Sequence, residues 1–338
     1  MIPANFYNQL KNNLIQCQLC NHFCLIKDKD VGICQVRKNI KGQLYSLVYG
    51  LPVAINIDPI EKKPLFHFQP ASFSYSLGTY GCNFKCANCQ NWGISQVTNV
   101  EKKLKSLNNL EPEKIVAEAL ANDCQSISYT YNEPTIWSEY ALAIMKIARQ
   151  RRLKNVWVSN GFMTDKCLAA IIPYLDAINV DLKSFDENFY KINCLAKLKP
   201  VLDNLKKIKQ ADIHLEITTL IIPGLSDDSA MLKKIADFIF SELGAEVPWH
   251  LSKFSAAISW KLKSLSSTPD EMIYQAYNLG KTTGLKYIYV GNIPGDEKEN
   301  TFCFKCGQLA IRRFGFQIER FDHNGRCNNC DSNLDIIG

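Results

Sequence analysis

Seven segments rich in β-branched and aromatic residues recur through the middle of the chain, with helical segments between most of them. They are 74–80 (SYSLGTY), 126–131 (SISYTY), 155–160 (NVWVSN), 177–183 (AINVDLK), 213–222 (IHLEITTLII), 248–254 (PWHLSKF) and 287–292 (YIYVGN). That composition reads as strand. Pro112 opens a segment in which Ile115 and Ala119, and Val116 and Leu120, stand at helical spacing; Ile136, Tyr140, Ile144 and Ile147 do the same within 134–150. Both are amphipathic helices, the first with proline in its first turn. Such alternation predicts parallel strands joined by crossover helices, hence an α/β barrel or open sheet, with the site at the carboxyl ends of the strands. The polar residues obey that geometry. Glu133 follows the second strand, Asn160 ends the third, Asp181 and Lys183 end the fourth, and Asn292 ends the last. His250 lies inside its strand, where alternation can still turn it into a barrel lumen.

The 14 cysteines of this 338-residue chain are clustered at 17, 20, 24, 34; at 82, 86, 89; and at 303, 306, 327, 330. Met1–Cys17 lacks a basic stretch followed by an apolar one, so no signal peptide is expected, and no apolar run approaches the ~18–20 residues of a membrane span. A cytoplasmic protein is expected, with no membrane partner. There, cysteine clusters at CxxC-like spacing favour metal over disulfides. Cys124, Cys167 and Cys194 stand apart and read as buried small hydrophobes. Three units are expected: a cysteine-rich metal-binding segment (1–60), the strand–helix region (61–298) and a short tail (299–338).

In the tail, Cys303-x2-Cys306 and Cys327-x2-Cys330 flank an alternating segment with Gly315 near its centre. This is a zinc-ribbon pattern, read either as a structural staple or as a binding module. In the first group, Cys17, Cys20, Cys24 and Cys34 suit tetrahedral zinc, and His22 offers a substitute ligand; a second iron–sulfur cluster would use the same four cysteines. The formal charge of +6 treats thiols as neutral. Thiolate metal sites would cancel most of it, so nucleic acid is not indicated.

The loop Cys82-x3-Cys86-x2-Cys89 follows directly on a strand and has one cysteine too few for zinc. A cubane cluster has four irons, so three thiolates leave one iron open to a substrate or cofactor. CxxxCxxC after the first strand of an α/β barrel resembles the signature of the radical S-adenosylmethionine (SAM) superfamily. Over nearly the full length, CQLCNHFC…GICQVR, GCNFKCANCQNWGISQ, YTYNEPTIW, NVDLKSFD, ITTLIIPGLSDD, PWHLSKF, YIYVGNIPG and NTFCFKCG…RCNNC resemble the AmmeMemoRadiSam-system radical SAM enzymes. These are similar to the activating enzymes of glycyl-radical enzymes, such as the pyruvate formate-lyase activator.

The resemblance implies a partial (β/α)6-type TIM barrel and an oxidoreductase that cleaves SAM reductively with a 4Fe-4S cluster on Cys82, Cys86 and Cys89. An unidentified substrate would then lose a hydrogen atom. The implied partners are an electron donor such as flavodoxin or ferredoxin, and Ammecr-like and Memo-like proteins or a glycyl-radical enzyme. Carried over by position, Glu133 would accept from the SAM ammonium. Asn160, Asp181 and Lys183 would line the cofactor pocket, with Lys183 on the methionyl carboxylate and Asp181 or His250 on the ribose; Asn292 would lie nearby. Two departures stand out. Asn88 replaces the aromatic residue that usually precedes the third cysteine and helps hold the adenine, which leaves Trp92 or a backbone contact for that task. SAAI (255–258) replaces a common His-Pro pair. A rival of another class is a non-catalytic, zinc-rich scaffold; it explains the terminal cysteine groups but not the three-cysteine loop or Glu133.

Overall fold

The computed structural model describes residues 1–338. Its centre is one eight-stranded sheet whose strands lie in chain order. They are β1 (Ala54–Pro59), β2 (Phe73–Gly78), β3 (Ser126–Tyr129), β4 (Lys154–Ser159), β5 (Ala177–Asp181), β6 (His214–Ile221), β7 (Trp249–Lys253) and β8 (Ile288–Gly291). All seven predicted strands form, and β2 to β8 pair in parallel. The parallel unit therefore has seven strands rather than the six implied by the resemblance. The seventh is added because β8 pairs with β7 from Trp249↔Ile288 to Ser252↔Gly291.

β1 pairs antiparallel to β2 and forms the other edge. It lies in the segment expected to be a separate amino-terminal unit. Its sequence, AINIDP, ends in Asp58 and Pro59, residues depleted from strands and tolerated at an edge. Crossover helices follow the strands: α1 (Pro112–Ala121), α2 (Ser138–Gln150), α3 (Asp165–Ile171), α4 (Lys199–Gln210), α5 (Ser229–Phe238) and α6 (Asp270–Thr283). α2 buries Tyr140, Ala141, Ile144, Met145 and Ala148 along one stripe. Each large apolar side chain so buried contributes about 1.5–3 kcal/mol.

The amino-terminal residues form two small three-stranded antiparallel sheets. They share the barrel's core: Ile15, Leu19, Val36 and Val48 belong to the same apolar cluster as Ile144 and Ile178. A buried ion pair locks them in place. The Arg37 guanidinium donates three hydrogen bonds of 2.8–2.9 Å to the Glu139 carboxylate on α2.

The tail has its own small core of Cys303, Ala310, Cys327 and Leu334. Its hairpin, Leu309–Phe314 and Gln317–Arg320, turns at Gly315 in the left-handed region. The tail docks against residues 66–69. Arg313 donates to the Phe66 carbonyl (2.8 Å), and the Ile337 amide to that of His67 (2.8 Å). Residues 66 and 67 in turn close the amino end of the barrel. Glu216, early in β6, accepts from the backbone amides of Phe66 (3.0 Å) and His67 (2.8 Å) and from His214 (2.9 Å) and His250 (2.6 Å). Burial opposes the Glu216 charge, but the two histidines hold its carboxyl well below the usual range.

Candidate active site

At the opposite end of the sheet, four adjacent strands, β2 to β5, deliver the polar residues. The chain leaves β2 through Gly78, where a side chain would sit 2.6 Å from the Thr130 carbonyl, and turns at Gly81 in the left-handed region. Asn132 braces this turn, donating to the Gly81 carbonyl (2.8 Å) and accepting from the Thr79 amide (3.3 Å) and the Trp137 indole (3.2 Å).

The cysteine loop is then held on several sides. The amides of Lys85 and Ala87 donate to the carbonyls of Cys194 and Asn193, each at 2.9 Å, and the Lys261 amide donates to the Ala87 carbonyl at 2.8 Å. His22, from the amino-terminal segment, bonds the Asn83 carbonyl at 2.8 Å. Cys82 and Cys86 are buried and Cys89 is half-buried. The Phe84 amide donates to the Cys82 sulfur (3.4 Å), and Cys89 shares a hydrogen bond with Ser95 (3.1 Å). Burial pushes the Cys82 thiol well up and the Cys89 thiol up. Cys86 is held below the usual thiol range by a hydrogen bond from Cys194, against burial and with help from Lys183.

Glu133 and Asn160 are joined to this loop by a hydrogen-bonded chain. Glu133 Oε1 accepts from the Thr135 amide (3.1 Å), the Thr135 hydroxyl (2.5 Å) and the Ser159 hydroxyl (2.8 Å); Oε2 accepts from the Asn160 amide (2.7 Å). The Asn160 side chain donates to Asn83 Oδ1 (2.8 Å), next to Cys82. Burial raises the Glu133 carboxyl despite these donors. Lys183 pairs with Asp181 at 2.9 Å. Burial works against its charge, but Asp181, Cys86 and Cys194 raise its pKa well above the usual value.

Of the other two expected pocket residues, one lies elsewhere and the other directly follows the carboxyl end of β8. His250 does not face this end; it is the second residue of β7, bonded to Glu216 and packed edge-on against Phe66, so its predicted ribose contact is withdrawn. Asn292 is exposed, in the left-handed region, with its side chain donating to the Lys253 carbonyl. Asn83, Asn132 and Cys194 escaped the sequence reading. Asn83 lies inside the cysteine motif and Asn132 inside YNEP, which was the available signal; nothing in the sequence ties Cys194 to Cys86.

The cysteine groups differ in spacing. In the tail, Cys303–Cys330 and Cys306–Cys327 approach to 3.6 Å, and all four sulfurs lie within 4.8 Å of one another. A tetrahedron of thiolates at about 2.3 Å from one ion has edges of about 3.8 Å. No other group of three or more potential ligands in the chain converges so closely.

The Radical SAM superfamily profile matches residues 76–239, from within β2 to the end of α5. The chain is 41% identical to the uncharacterized protein MJ0808 of Methanocaldococcus jannaschii over the full length of both. It is also 26% identical to a putative glycyl-radical enzyme activating enzyme of that organism, MJ1632, over 63% of this chain and 77% of that one. A radical SAM methyltransferase from Sphaerobacter thermophilus shares the fold at 14% identity, with a TM-score of 0.52 over 72% of this chain and 71% of that one. The chain belongs to the radical SAM superfamily. Its members are enzymes that work with a 4Fe-4S cluster and SAM, so the scaffold reading falls.

The residues present fit those groups. Three thiols come from one loop without the convergence of a single-ion site. Buried polar atoms without partners surround them: Asn83 Nδ2, Asn88 Oδ1 and Gln96 Oε1. Buried polar groups are rarely left unpaired unless a ligand or water meets them.

Proposed function

We propose that this protein cleaves SAM reductively at a cluster on Cys82, Cys86 and Cys89 and abstracts a hydrogen atom from an organic substrate. The observation that carries this reading is the convergence of three cysteine thiols, the Glu133–Asn160–Asn83 chain and the Asp181–Lys183 pair at the carboxyl ends of β2 to β5. When bound, the cluster supplies a low-potential electron and SAM the 5′-deoxyadenosyl group that receives the substrate hydrogen.

The chain's own residues orient and shield. A carboxylate oxygen offers about two acceptor sites. Glu133 Oε2 gives one to Asn160, which leaves one for the SAM ammonium. The Lys183 ammonium has three donors and bonds Asp181, which leaves it able to meet the methionyl carboxylate. Asp181 is about one-third exposed and open to ribose hydroxyls. Asn88, standing where an aromatic residue was expected, is half-buried and presents a buried, unpartnered Oδ1, an acceptor suited to the amino group of adenine.

The substrate reading of glycyl-radical activation is favoured by two observations. Relatives include proteins named as activating enzymes, such as the pyruvate formate-lyase-activating enzyme of Clostridium pasteurianum at 20% identity. In addition, segments bonded to the cysteine loop carry exposed Ile192, Leu195 and Ile258, a surface suited to a peptide substrate. The Ammecr/Memo-associated pathway rests on sequence resemblance. Co-purification of the tagged chain with Ammecr-like and Memo-like proteins supports it, and capture of a glycyl-radical enzyme instead supports activation.

The unbridged cysteines suit a reducing cytoplasm, and the low-potential electron that the proposed reaction needs calls for a flavodoxin- or ferredoxin-class donor. The tail's tetrahedral cysteines suit zinc. Because they sit on the amino end of the barrel, we assign them a structural task. The test of the reaction is release of 5′-deoxyadenosine by the anaerobically reconstituted protein with SAM and dithionite. Release by the wild type and none by Cys86→Ala is expected; a fully loaded wild type that releases none refutes the proposal.

A further inference from the structure

The geometry points to the surface over the cysteine loop as the docking face of an acidic one-electron carrier protein, drawn there by five lysines.

Three segments build this face: 79–99 after β2, 190–198 between β5 and α4, and 254–269 between β7 and α6. They are bonded to one another at the loop itself. The Lys85 and Ala87 amides donate to the Cys194 and Asn193 carbonyls, each at 2.9 Å. The Ala87 carbonyl accepts from the Lys261 amide (2.8 Å) and the Ser259 hydroxyl (3.1 Å). The Lys263 ammonium stands 5.8 Å from the centre of the Trp92 ring, which joins the third segment to the first a second time.

The charge of the chain is gathered here. The three segments carry Lys85, Lys191, Lys197, Lys261 and Lys263 and no aspartate or glutamate. Of the 39 basic and 33 acidic residues, that leaves 34 and 33 elsewhere, so these segments hold nearly all of the formal surplus of +6. Lys85 is half-buried and the other four lysines are exposed. The thiolates beneath share their charge with the irons they would hold, which leaves the face positive. Among the lysines stand exposed apolar side chains: Ile192 at 74%, Leu195 at 57%, Ile258 at 51% and Trp92 at 42%.

Charge complementarity calls for an acidic partner, and the rest of the face selects its kind. The exposed aliphatic side chains give a protein an apolar centre, of which a phosphate backbone makes no use. The cations are all lysines, hydrated point charges that steer an encounter without fixing one bidentate geometry. That suits the small, brief contact of electron transfer. The face also lies on the loop that carries the three cysteines, with Cys89 half-buried. The choice of an electron carrier rests on the cluster proposed above. One electron leaves the carrier, which is oxidised, and reduces the cluster; no bond forms or breaks. Because Ile192, Leu195 and Ile258 also suit a peptide substrate, carrier and protein substrate would occupy this face in turn.

The test follows reduction of the anaerobically reconstituted full chain by a photoreduced flavodoxin, without SAM, as loss of cluster absorbance in stopped flow. The wild-type rate constant should fall steeply from low to high salt. At low salt, Lys191→Glu/Lys197→Glu/Lys263→Glu should be reduced about ten- to a hundredfold more slowly than wild type. Excess dithionite should still reduce its cluster fully. Equal carrier-driven rates in the two proteins overturn the inference. So do equal rates together with lost binding of an RNA oligonucleotide or of phosphatidylglycerol vesicles, which would give the face to that partner. If the triple variant takes up no cluster, the wild type decides alone: a rate indifferent to salt overturns the inference. A wild type that takes up no cluster refutes both this inference and the proposed reaction. A wild type reduced by flavodoxin in this salt-dependent way that releases no 5′-deoxyadenosine with SAM refutes the reaction alone.

Discussion

Replacing Glu133 with Gln tests the site's architecture without changing its shape. The carboxylate accepts four hydrogen bonds, three on Oε1 and one on Oε2. A glutamine amide can keep its oxygen toward the three donors. Its NH2 then faces the Asn160 amide, now donor against donor at a spacing of 2.7 Å. A lost bond to a charged acceptor is worth about 1.5–3 kcal/mol, and a buried donor left unpaired adds about 1–3 kcal/mol. Part of this is returned, because burial already disfavours the Glu133 charge. The net loss expected is about 2–4 kcal/mol. It is read by urea unfolding of the cluster-free chain under reductant, with an unchanged m-value. Thr135→Val, which removes one of the three Oε1 donors and no other bond of that hydroxyl, should lose only about 1 kcal/mol. A Glu133→Gln variant within about 0.5 kcal/mol of wild type would show that the carboxylate does not brace the ends of β3 and β4.

Three further outcomes follow from the same geometry. Arg37→Met leaves Glu139 buried without its partner and should cost about 3–5 kcal/mol in unfolding free energy; adding Glu139→Leu should restore much of it. Lys183→Met removes a charged donor and should raise the Kd for SAM roughly ten- to hundredfold by equilibrium dialysis, with little loss of stability. Burial pushes His67 down to about 3, so it stays neutral in the fold while the unfolded chain binds a proton below about pH 6.5. The unfolded state then holds more protons between those values. Stability should fall as pH falls through that window, by up to about 1.4 kcal/mol per pH unit, and His67→Gln should flatten the slope in urea titrations.

The sequence made the parallel strands legible because each is a short β-branched and aromatic run bounded by helix signals. β1 was hidden by its Asn, Asp and Pro, and its pairing with β2 is visible only in the sheet. The cysteine loop, Glu133, Asn160, Asp181 and Lys183 could be placed from one rule, that function sits after parallel strands. His250 failed that rule by lying inside its strand, and Glu216 claims it from the neighbouring one. Cys194 could not have been read. Its carbonyl accepts from the Lys85 amide beside Cys86 because of a turn after β5 that ends at Leu195 in the left-handed region, and neither residue announces it. The amino-terminal cysteines read as a metal group through their spacing in the sequence alone, and that spacing suits zinc and a cluster equally.

The central claim is that the iron left without a cysteine at Cys82, Cys86 and Cys89 is where SAM binds. Low-temperature EPR of the reduced, reconstituted protein, recorded with and without SAM carrying an 17O-labelled carboxylate, tests it most directly. The account predicts a shifted cluster signal with added broadening from the label, absent in the variant lacking those three cysteines. A wild-type cluster signal that SAM leaves unchanged would contradict it.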